Sequence, residues 1–458
     1  MMIKFCLPTK RYFSLHFTPA RIFVFSFAAL VLLGALLLWL PFSCSQKNLR
    51  FVDALFSSAS AVCVTGLAVV DIGRDLSLIG QIITLILFQI GGLGIITFSV
   101  VFFVLMGRGI SFKEREIVQS SFLHTPRGDF YLIVKKILLY SFVIEAGGAF
   151  LLFLRFINDF PATQAFYHAL YNAVSAFNNC GYSLFSDSMM RYRSDMIVNI
   201  TLMLLIICGG IGFIVQHEIM AKLRGQAKKL SLHTQIVLLM TVVLILGGAA
   251  CIYFMEMHNT LRGATTTTAL LASFFQSVTA RTAGFNTLDI GALTNSTILV
   301  VIILMFIGAS PGSTGGGVKT TSFTLLILLI FNRIRGNENV NIVNRTIPKE
   351  IIDRTFSIIF AAAFCIFLVT SVLLLFSGGD ITALTNRNKF VEYLFETVSA
   401  FGTVGLSMGI TSGLNDIQKF AIIFMMFVGR VGPLTLAFAW YSSRKRSLMY
   451  AEESVMVG

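Results

Sequence analysis

Four stretches of this sequence repeat one pattern: FSSASAVCVTGLAV (56–69), YNAVSAFNNCGYSL (171–184), FFQSVTARTAGFNTL (274–288) and FETVSAFGTVGLSM (395–408). Each has an aromatic residue ten positions before a central glycine, then a Ser/Thr-Ala pair, then the glycine followed by a large apolar residue. In the third stretch the pair slips by one position, to Thr279-Ala280. The central glycines are Gly66, Gly181, Gly284 and Gly405, at separations of 115, 103 and 121 residues. The pattern indicates a degenerate fourfold repeat of one structural unit.

The composition around these stretches is that of a membrane protein. Of the 458 residues, 56% are apolar and 12% are charged, which is more apolar side chain than a soluble globule can bury. Runs near or above the roughly 20 apolar residues that cross a bilayer recur along the chain, at residues 22–40, 77–106, 131–157, 196–221, 233–255, 296–331, 356–376 and 417–441. The first run follows a basic flank, but it is too long for a signal peptide and lacks a cleavage site, so we interpret it as a permanent span.

Each pair of predicted spans encloses one of the repeated stretches. These stretches are too short to cross a bilayer and too apolar to be solvated loops, and they begin near Phe51, Gln164, Thr265 and Lys389. The sequence therefore predicts an all-α integral membrane protein with eight transmembrane helices and four re-entrant pore loops, in fourfold pseudosymmetric helix-pore-helix repeats. The predicted units are residues 1–110, 111–229, 230–350 with a broken second helix, and 351–458 with the C-terminal tail.

The charges support this topology, because cytoplasmic loops are enriched in Lys and Arg. The segments predicted to lie inside hold 22 of the 35 basic residues and 8 of the 22 acidic ones; they are the residues up to Arg21, 107–136, 222–229, 332–354 and the tail after Ser443. Both termini are therefore predicted to be cytoplasmic. The net charge of +13 does not favour nucleic-acid binding, since these short loops lack interleaved aromatic residues. Seven scattered cysteines, without a C-x-x-C pair or a His cluster, indicate neither a metal site nor a disulfide framework.

Elementary physical chemistry connects the repeat to cation conduction. Non-helical backbone at membrane depth is tolerated only inside protein or beside a water-filled cavity, so the four loops should meet around one axis. A short helix such as 51–63 would point its negative dipole end into the membrane, and the segment after it could offer carbonyl oxygens to a dehydrated cation. Glycine permits the required backbone angles and leaves the lumen open; ordinary turns between spans are the alternative. The candidate ion-lining residues are Val64, Thr65, Gly66, Asn179, Cys180, Gly181, Thr282, Ala283, Gly284, Thr403, Val404 and Gly405.

The motifs VTGL, NCGYS, RTAGFN and TVGLS resemble the filter loops of the Trk/Ktr/HKT superfamily of potassium transporters. The resemblance covers essentially the whole chain, and eight spans without an extra N-terminal pair are most similar to the bacterial Ktr membrane subunit. It implies K⁺ uptake across the bacterial plasma membrane, either downhill or linked to Na⁺. It also implies a homodimer with one pore in each protomer, docked on a cytosolic, KtrA-like ring of nucleotide-binding regulatory subunits. Glycine in the first loop resembles the K⁺-preferring members.

The sixth predicted span is interrupted by GASPGSTGGGVKTTS at residues 308–322. Glycine costs about 1 kcal/mol and proline about 3 kcal/mol in a helix interior, so this span should open into a loop at mid-membrane. A phosphate-binding P-loop is disfavoured because Val318 precedes Lys319, and a cytoplasmic connector is the other alternative. The resemblance implies an intramembrane gate below the filter, with the candidate residues Ala309, Ser310, Pro311, Gly312, Ser313, Thr314, Gly315, Gly316, Gly317 and Arg430.

Arg430 lies inside the last predicted span, where an ionised group is costly and usually functional. We expect it to face the pore near the gate loop, either as a barrier to cations or as a donor to the carbonyl groups of that loop. An ion pair with Glu145 or another acid is the structural alternative. Glu218 is expected at the cytoplasmic interface, and Arg281 is assigned no transport role.

Two other function classes compete with a gated pore. An alternating-access symporter also uses broken helices but should show inverted repeats, whereas these four units run in the same direction. A polytopic membrane enzyme would need a converging acid, base or metal set, and the sequence contains neither H-E-x-x-H nor a paired-carboxylate motif. No catalytic residue is predicted, and the only expected ligands are the transported K⁺ and Na⁺.

Overall fold

The computed structural model describes residues 19–45, 48–105, 130–226, 229–337, 339–342, 345–377 and 383–440. Most of the predicted basic N-terminal segment, most of the loop 107–136 and the C-terminal tail lie outside these residues. The helices are α1 (Pro19–Trp39), α2 (Phe51–Val62), α3 (Leu78–Leu105), α4 (Phe130–Phe156), α5 (Ala162–Phe177), α6 (Met196–Gly210), α7 (Phe213–Leu223), α8 (Leu232–Glu256), α9 (Thr266–Thr279), α10 (Asn295–Phe306), α11 (Thr320–Ile334), α12 (Lys349–Leu375), α13 (Ala383–Gly402), α14 (Asp416–Val431) and α15 (Pro433–Trp440).

A small hairpin departs from the expected all-α fold. Strands β1 (Asn341–Ile342) and β2 (Arg345–Thr346) pair antiparallel between α11 and α12. Short 3₁₀ turns complete the described structure, at Pro41–Ser43, Met190–Tyr192, Ile290–Ala292 and Thr411–Gly413. The prediction of a helical fold is confirmed for the described residues. It is wrong only in missing this short hairpin, in which each strand has two residues.

Polar side chains fix the starts of several helices in this apolar sequence. Four N-cap side chains accept a hydrogen bond from the backbone N–H three residues later; they are Asp195, Ser231, Thr265 and Thr294. At the start of α14, Asn415 and Gln418 form a reciprocal capping box. Such caps satisfy N–H groups that a helix leaves unpaired, and each stabilises the helix by about 1 kcal/mol.

The helices form four units, each with a short central helix between two longer elements. The central helices are α2, α5, α9 and α13, and each packs against the first helix of its own unit, which is α1, α4, α8 or α12. Each also contacts the second element of the preceding unit: α3 packs on α5, α6 on α9, α10 on α13, and α14 returns to α2. The four units therefore close into a ring with the central helices on its inner side.

The second element of every unit is interrupted, although the sequence predicted a break only in the sixth span. Helix α3 is kinked at Gly94 (φ 64°), α6 and α7 meet at Gly212 with a bend of 103°, and α14 gives way to α15 at Gly432 (φ 90°). In the third unit the break is the loop 307–319 between α10 and α11. Three spans predicted as continuous helices are therefore broken, because a glycine with positive φ ends the helical hydrogen-bond ladder in each.

The molecule exposes many large apolar side chains on its surface, and it buries polar side chains beside its apolar core. Phe360, Phe367 and Leu375 on α12 are 72–79% exposed, whereas many Ser, Thr and Asn side chains at the centre are fully buried. Among the described residues, three helices are long and apolar enough to cross a membrane: Lys135–Phe156, Leu232–Glu256 and Lys349–Leu375. The bent pair α6 and α7 makes a fourth if it is one span. This distribution is that of a helical membrane protein.

Candidate functional site

The four repeated glycines meet at the centre of the ring. The glycine loops, residues 64–67, 179–182, 282–285 and 403–406, follow directly after the central helices. A Cβ atom on each glycine would contact a backbone carbonyl oxygen of the next unit in turn, and the pairs are Gly66 with Cys180, Gly181 with Ala283, Gly284 with Val404, and Gly405 with Thr65. This cyclic order brings the four glycines and the residue before each of them together around one axis, and the close approach leaves space only for glycine.

All four glycine loops share one backbone conformation. The first residue of each loop has a φ angle between 49° and 79°, and its glycine has a φ angle between 78° and 90°, while the residue between them is not left-handed. Three of the first residues are β-branched, namely Val64, Thr282 and Thr403. Left-handed conformation at such residues costs about 1–3 kcal/mol each and persists only where the surroundings impose it, typically at functional sites.

Hydrogen bonds from the central helices hold the loops in this conformation. The N–H groups of Thr65, Cys180 and Val404 each donate to a serine carbonyl five residues earlier, at 2.8–2.9 Å. The hydroxyl oxygens of Ser60 and Ser399 accept from the N–H groups of Gly66 and Gly405, at 3.0 and 3.1 Å. The serine of the repeated Ser-Ala pair therefore has a direct role in shaping the loop.

The third loop reaches the same position by a different local route. Ala283 N–H donates to Thr279 O, four residues earlier instead of five, at 2.9 Å. The Thr279 hydroxyl donates to Phe285 O at 2.6 Å. The one-residue slip of the Thr279-Ala280 pair is thus absorbed at the end of α9, and Gly284 keeps its place in the ring.

The large residue after each glycine anchors its loop in the surrounding helices. Leu67, Tyr182, Phe285 and Leu406 are all at most 2% exposed. The Tyr182 hydroxyl also donates to the carbonyl oxygens of Ser57 and Leu67, at 3.2 and 3.3 Å, which ties the second loop to the first unit. These contacts anchor each glycine loop in the helices around it.

An outer cavity of about 370 Å³ opens directly above the ring. All four glycines line it, together with the segments that follow them, which contribute serine and threonine hydroxyls and the carboxylate of Asp71. Among the described residues no group of three or more His, Cys, Asp or Glu side chains could hold a metal ion. Peptide, hydroxyl and carboxylate oxygens are ligands that suit a hard cation.

The loop 307–319, which we call the connecting loop, lies on the opposite side of the ring from this cavity and contacts the second, third and fourth units. Ser310 N–H and Thr314 N–H donate to the carbonyl oxygens of Gly210 and Gly209, at 3.0 and 3.3 Å. Gly316 N–H donates to the Thr403 hydroxyl at 2.9 Å, and a Cβ atom on Gly315 would collide with the Thr282 hydroxyl. The predicted gate residues are therefore in contact with the first residues of two glycine loops.

Two cationic side chains hold the connecting loop, the buried Arg430 and the partly buried Lys319. Arg430 donates to the carbonyl oxygen of Thr314 and to those of Gly91 and Gly92 at the kink of α3. Lys319 Nζ donates to Gly315 O at 2.7 Å. Arg430 therefore contacts a carbonyl oxygen of the connecting loop, and its role in gating stays a prediction. The connection of Arg430 to α3 and the lysine contact were not foreseen.

The remaining ionisable candidates lie elsewhere. Glu145 on α4 accepts from the side-chain amides of Gln89 and Asn178, so the alternative pairing of Arg430 with Glu145 is not formed among the described residues. Glu218 accepts from Ser231 and Thr234 and joins α7 to α8. Arg281 is buried directly before Thr282 and has no acidic partner among the described residues.

Residues 11–445 match the family described as TrkH, cation transport protein. The Ktr system potassium uptake protein B of Bacillus subtilis is 38% identical over 97% of this chain and 97% of its own length. The protein of the same name from Vibrio alginolyticus is 37% identical over 96% and 94%. The potassium/sodium uptake protein NtpJ of Enterococcus hirae is 34% identical over 96% and 97%.

A solved structure shares the fold. The potassium transporter TrkH from Vibrio parahaemolyticus superposes with a TM-score of 0.71, at 20% identity, over 97% of this chain and 87% of that chain. At this level of identity the match concerns architecture alone. It extends over all four units of the ring.

Proposed function

This chain belongs to the TrkH family of cation transport proteins, and we infer that it is a potassium-uptake transporter and not an enzyme. The transported ion is K⁺. The printed name of the enterococcal relative includes sodium, and we propose Na⁺ as a second ion that uptake depends on.

The observation that supports the conduction route best is the closed ring of glycine loops. We propose that K⁺ passes along its axis and is coordinated by backbone oxygens of Val64, Thr65, Gly66, Asn179, Cys180, Gly181, Thr282, Ala283, Gly284, Thr403, Val404 and Gly405. In each loop, residues with a left-handed backbone conformation alternate with a residue that lacks it. This alternation turns successive carbonyl oxygens to the same side of the chain, and a filter needs such an array to replace the hydration shell of an ion. The central helices end at this ring, so the negative ends of four dipoles favour a cation there.

We propose that the connecting loop is the gate. Residues 309–317 lie directly beneath the ring, and Arg430 and Lys319 add two positive charges there. A cation leaving the ring would meet both the loop backbone and this charge. For the gate to open, the hydrogen bonds from Arg430 to Thr314 and from Gly316 to Thr403 must break.

The proposed topology follows from the four units. Each first helix crosses the membrane, each central helix is re-entrant, and each broken second element crosses as one span, which gives eight spans and both termini in the cytoplasm. The unit boundaries 1–110, 111–229, 230–350 and 351–458 fit this scheme. The protein would then lie in the bacterial plasma membrane as a multi-pass transporter.

The proposed assembly is a homodimer with one pore per protomer on a cytosolic ring of KtrA-like, nucleotide-binding regulatory subunits. It is supported by sequence similarity, at 38% and 37% identity over nearly the full length, to two proteins that are named as parts of a Ktr system. Crosslinking in native membranes, followed by mass determination, tests both contacts.

A rubidium uptake assay with the purified protein in lipid vesicles tests the function, since Rb⁺ resembles K⁺ in size and charge. We expect uptake that K⁺ abolishes by competition. Gly66→Ser and Gly405→Ser should each reduce the preference for K⁺ over Na⁺, because a side chain at either position meets a carbonyl oxygen of the neighbouring loop. Selectivity that neither change alters would contradict the filter assignment.

A further inference from the structure

A buried carboxylate lies behind the fourth glycine loop. Glu396 is on α13, nine residues before Gly405, and its side chain is fully buried. Its Oε1 accepts a hydrogen bond from Thr411 Oγ1, whereas its Oε2 is buried without a partner among the described residues. Burying an ionised carboxylate is costly unless an opposite charge compensates it. No basic side chain pairs with Glu396 in the described part of the chain, so a cation near it would supply a counter-charge that the described residues lack.

A short chain of hydroxyl groups connects Glu396 to the outer cavity. Thr411 Oγ1 lies 2.9 Å from Ser407 Oγ, and Gly409 N–H donates to Ser407 Oγ at 3.0 Å. Because each hydroxyl has one proton, an ionised Glu396 orders the chain so that Ser407 donates to Thr411 and Thr411 donates to the carboxylate. Gly405, Ser407 and Thr411 all line the outer cavity. Glu396 is therefore separated from the ion route by a single layer of side chains.

The other central helices have no charge at the equivalent position, which is nine residues before the glycine. Ser57 donates to Asp53 O and Asn172 donates to His168 O, each at 2.9 Å and within its own helix, and Phe275 is apolar. Of these four side chains, only that of Glu396 contacts the segment after its own glycine, through Thr411. The negative charge behind the ring is therefore confined to one of four equivalent places.

We propose that Glu396 is a positioning residue for the outermost cation site of the filter. A cation held at the glycine ring supplies the missing counter-charge, so the buried carboxylate raises the affinity of that site for the ion. Its bond to Thr411 at the same time fixes residues 405–411 at the mouth of the cavity. This inference rests on the proposed function, because it assumes that a cation occupies the ring.

The test is the dependence of Rb⁺ uptake on Rb⁺ concentration in vesicles that contain the full-length protein. Glu396→Gln keeps the size of the side chain and an oxygen that accepts from Thr411, but it removes the charge. The Rb⁺ concentration for half-maximal uptake should rise roughly threefold to tenfold, while the maximal uptake rate stays within about twofold. The reason is that losing an attraction at the entry site weakens ion binding more than it slows ion movement through the pore. Glu392→Gln is the matched control, because Glu392 lies one turn earlier on α13; it should leave both values unchanged.

Thr411→Val provides the second arm, because it retains the charge and removes the hydroxyl that contacts it. It should raise the half-saturating concentration by about twofold or more. When combined with Glu396→Gln it should add little, since residues that act through each other are not additive. If Glu396→Gln does not yield folded protein, the Thr411→Val result decides alone.

An unchanged half-saturating concentration in either variant, or an equal rise in Glu392→Gln, would overturn the role of Glu396. Wild-type vesicles that take up no Rb⁺ would instead overturn the proposed function itself. The two failures are therefore distinguishable within one experiment.

Discussion

The glycine loops and the helix breaks beneath them come from the same four units, yet they differ in regularity. The loops share one backbone conformation and close into a ring of like contacts. The breaks are GGLG at 91–94, GGIG at 209–212, GRVG at 429–432 and, in the third unit, the whole loop 307–319. Coordination of a dehydrated ion requires oxygens from every side, whereas a single element is enough to block a path. The proposed function accounts for this difference: the glycine loops, or upper layer, would act as a filter in all units alike, and the breaks, or lower layer, would differ where the proposed gate lies.

Disrupting the upper layer should have the largest effect. Gly284→Val places a branched side chain at a φ angle of 80°, against the carbonyl oxygen of Val404. We expect Rb⁺ uptake to fall on the order of a hundredfold or more, because both the strain and the lost opening act on the ring. Gly247→Val, where no atom lies within 4 Å of the added Cβ, is the control and should retain uptake. Near-normal uptake by Gly284→Val would show that the ring is not the route.

Removing the irregular element of the lower layer should act in the opposite direction. Deletion of residues 310–317 removes the proposed obstruction together with the acceptor of Arg430 at Thr314. Uptake in vesicles should rise about tenfold, which corresponds to about 1.4 kcal/mol in the closed-to-open equilibrium. Folding is checked by gel filtration and thermal unfolding. Unchanged or lower uptake by a folded deletion variant would count against the gate.

The contact between the two layers should have a smaller effect. Thr403→Val gives the fourth loop the residue that the first loop has at Val64, and it removes the oxygen that accepts from Gly316 N–H. A hydrogen bond of this kind contributes about 1 kcal/mol, so basal uptake should rise about fivefold. Thr324→Val is the control, because that hydroxyl bonds only within its own helix. A basal rate equal to that of the control would mean that Gly316 does not hold the gate closed.

The smallest effect is expected where the ring closes between its last and first units. Lys419 on α14 pairs with Asp53 on α2 at 2.7 Å, and Arg50 donates to Asp53 at 3.1 Å. Burial alone would raise the pKa of Asp53, but the hydrogen bonds and charges of Arg50 and Lys419 lower it below its ordinary value. A carboxyl whose folded-state pKa is lowered stabilises the protein above its unfolded-state pKa, and this contribution disappears as the pH falls through the folded-state pKa.

Asp53→Asn should therefore lower the unfolding temperature at neutral pH by a few degrees and weaken the loss of stability on acidification. The measurement is thermal unfolding in detergent between neutral pH and pH 3. Asp187→Asn, which removes an exposed pair with Arg191, is the control. An acid sensitivity identical to the wild type would show that the pair does not close the ring.

The sequence predicted the features that repeat. Starts expected near Phe51 and Thr265 agree with helices beginning at Phe51 and Thr266, because apolar periodicity and a threonine cap mark them. The α13 helix begins at Ala383, ahead of the expected Lys389, since polar residues at its start hid its first turns. The glycines could be aligned because their neighbours recur at fixed spacing. Even in the third repeat, where the Thr279-Ala280 pair is shifted by one position, Gly284 aligns with the other three glycines.

The sequence could not show the features that depend on contacts across units. A single glycine such as Gly94 or Gly212 does not differ in sequence from a glycine tolerated inside a helix, and only the packed structure gives it a positive φ. The reach of Arg430 to Gly91 spans more than three hundred residues of chain. The repeated pattern gives no signal for Glu396, because its partner Thr411 lies beyond the glycine and outside that pattern. In each case tertiary packing, not local preference, determines the outcome.

Anomalous diffraction from crystals soaked in Rb⁺ or Tl⁺ tests the central claim most directly. We expect peaks on the axis of the ring, level with the carbonyl oxygens of Thr65, Cys180, Ala283 and Val404. K⁺ added in excess should abolish these peaks. Well-measured data with no peak on that axis, and with ions bound elsewhere between the helices, would contradict a filter formed by the four glycine loops.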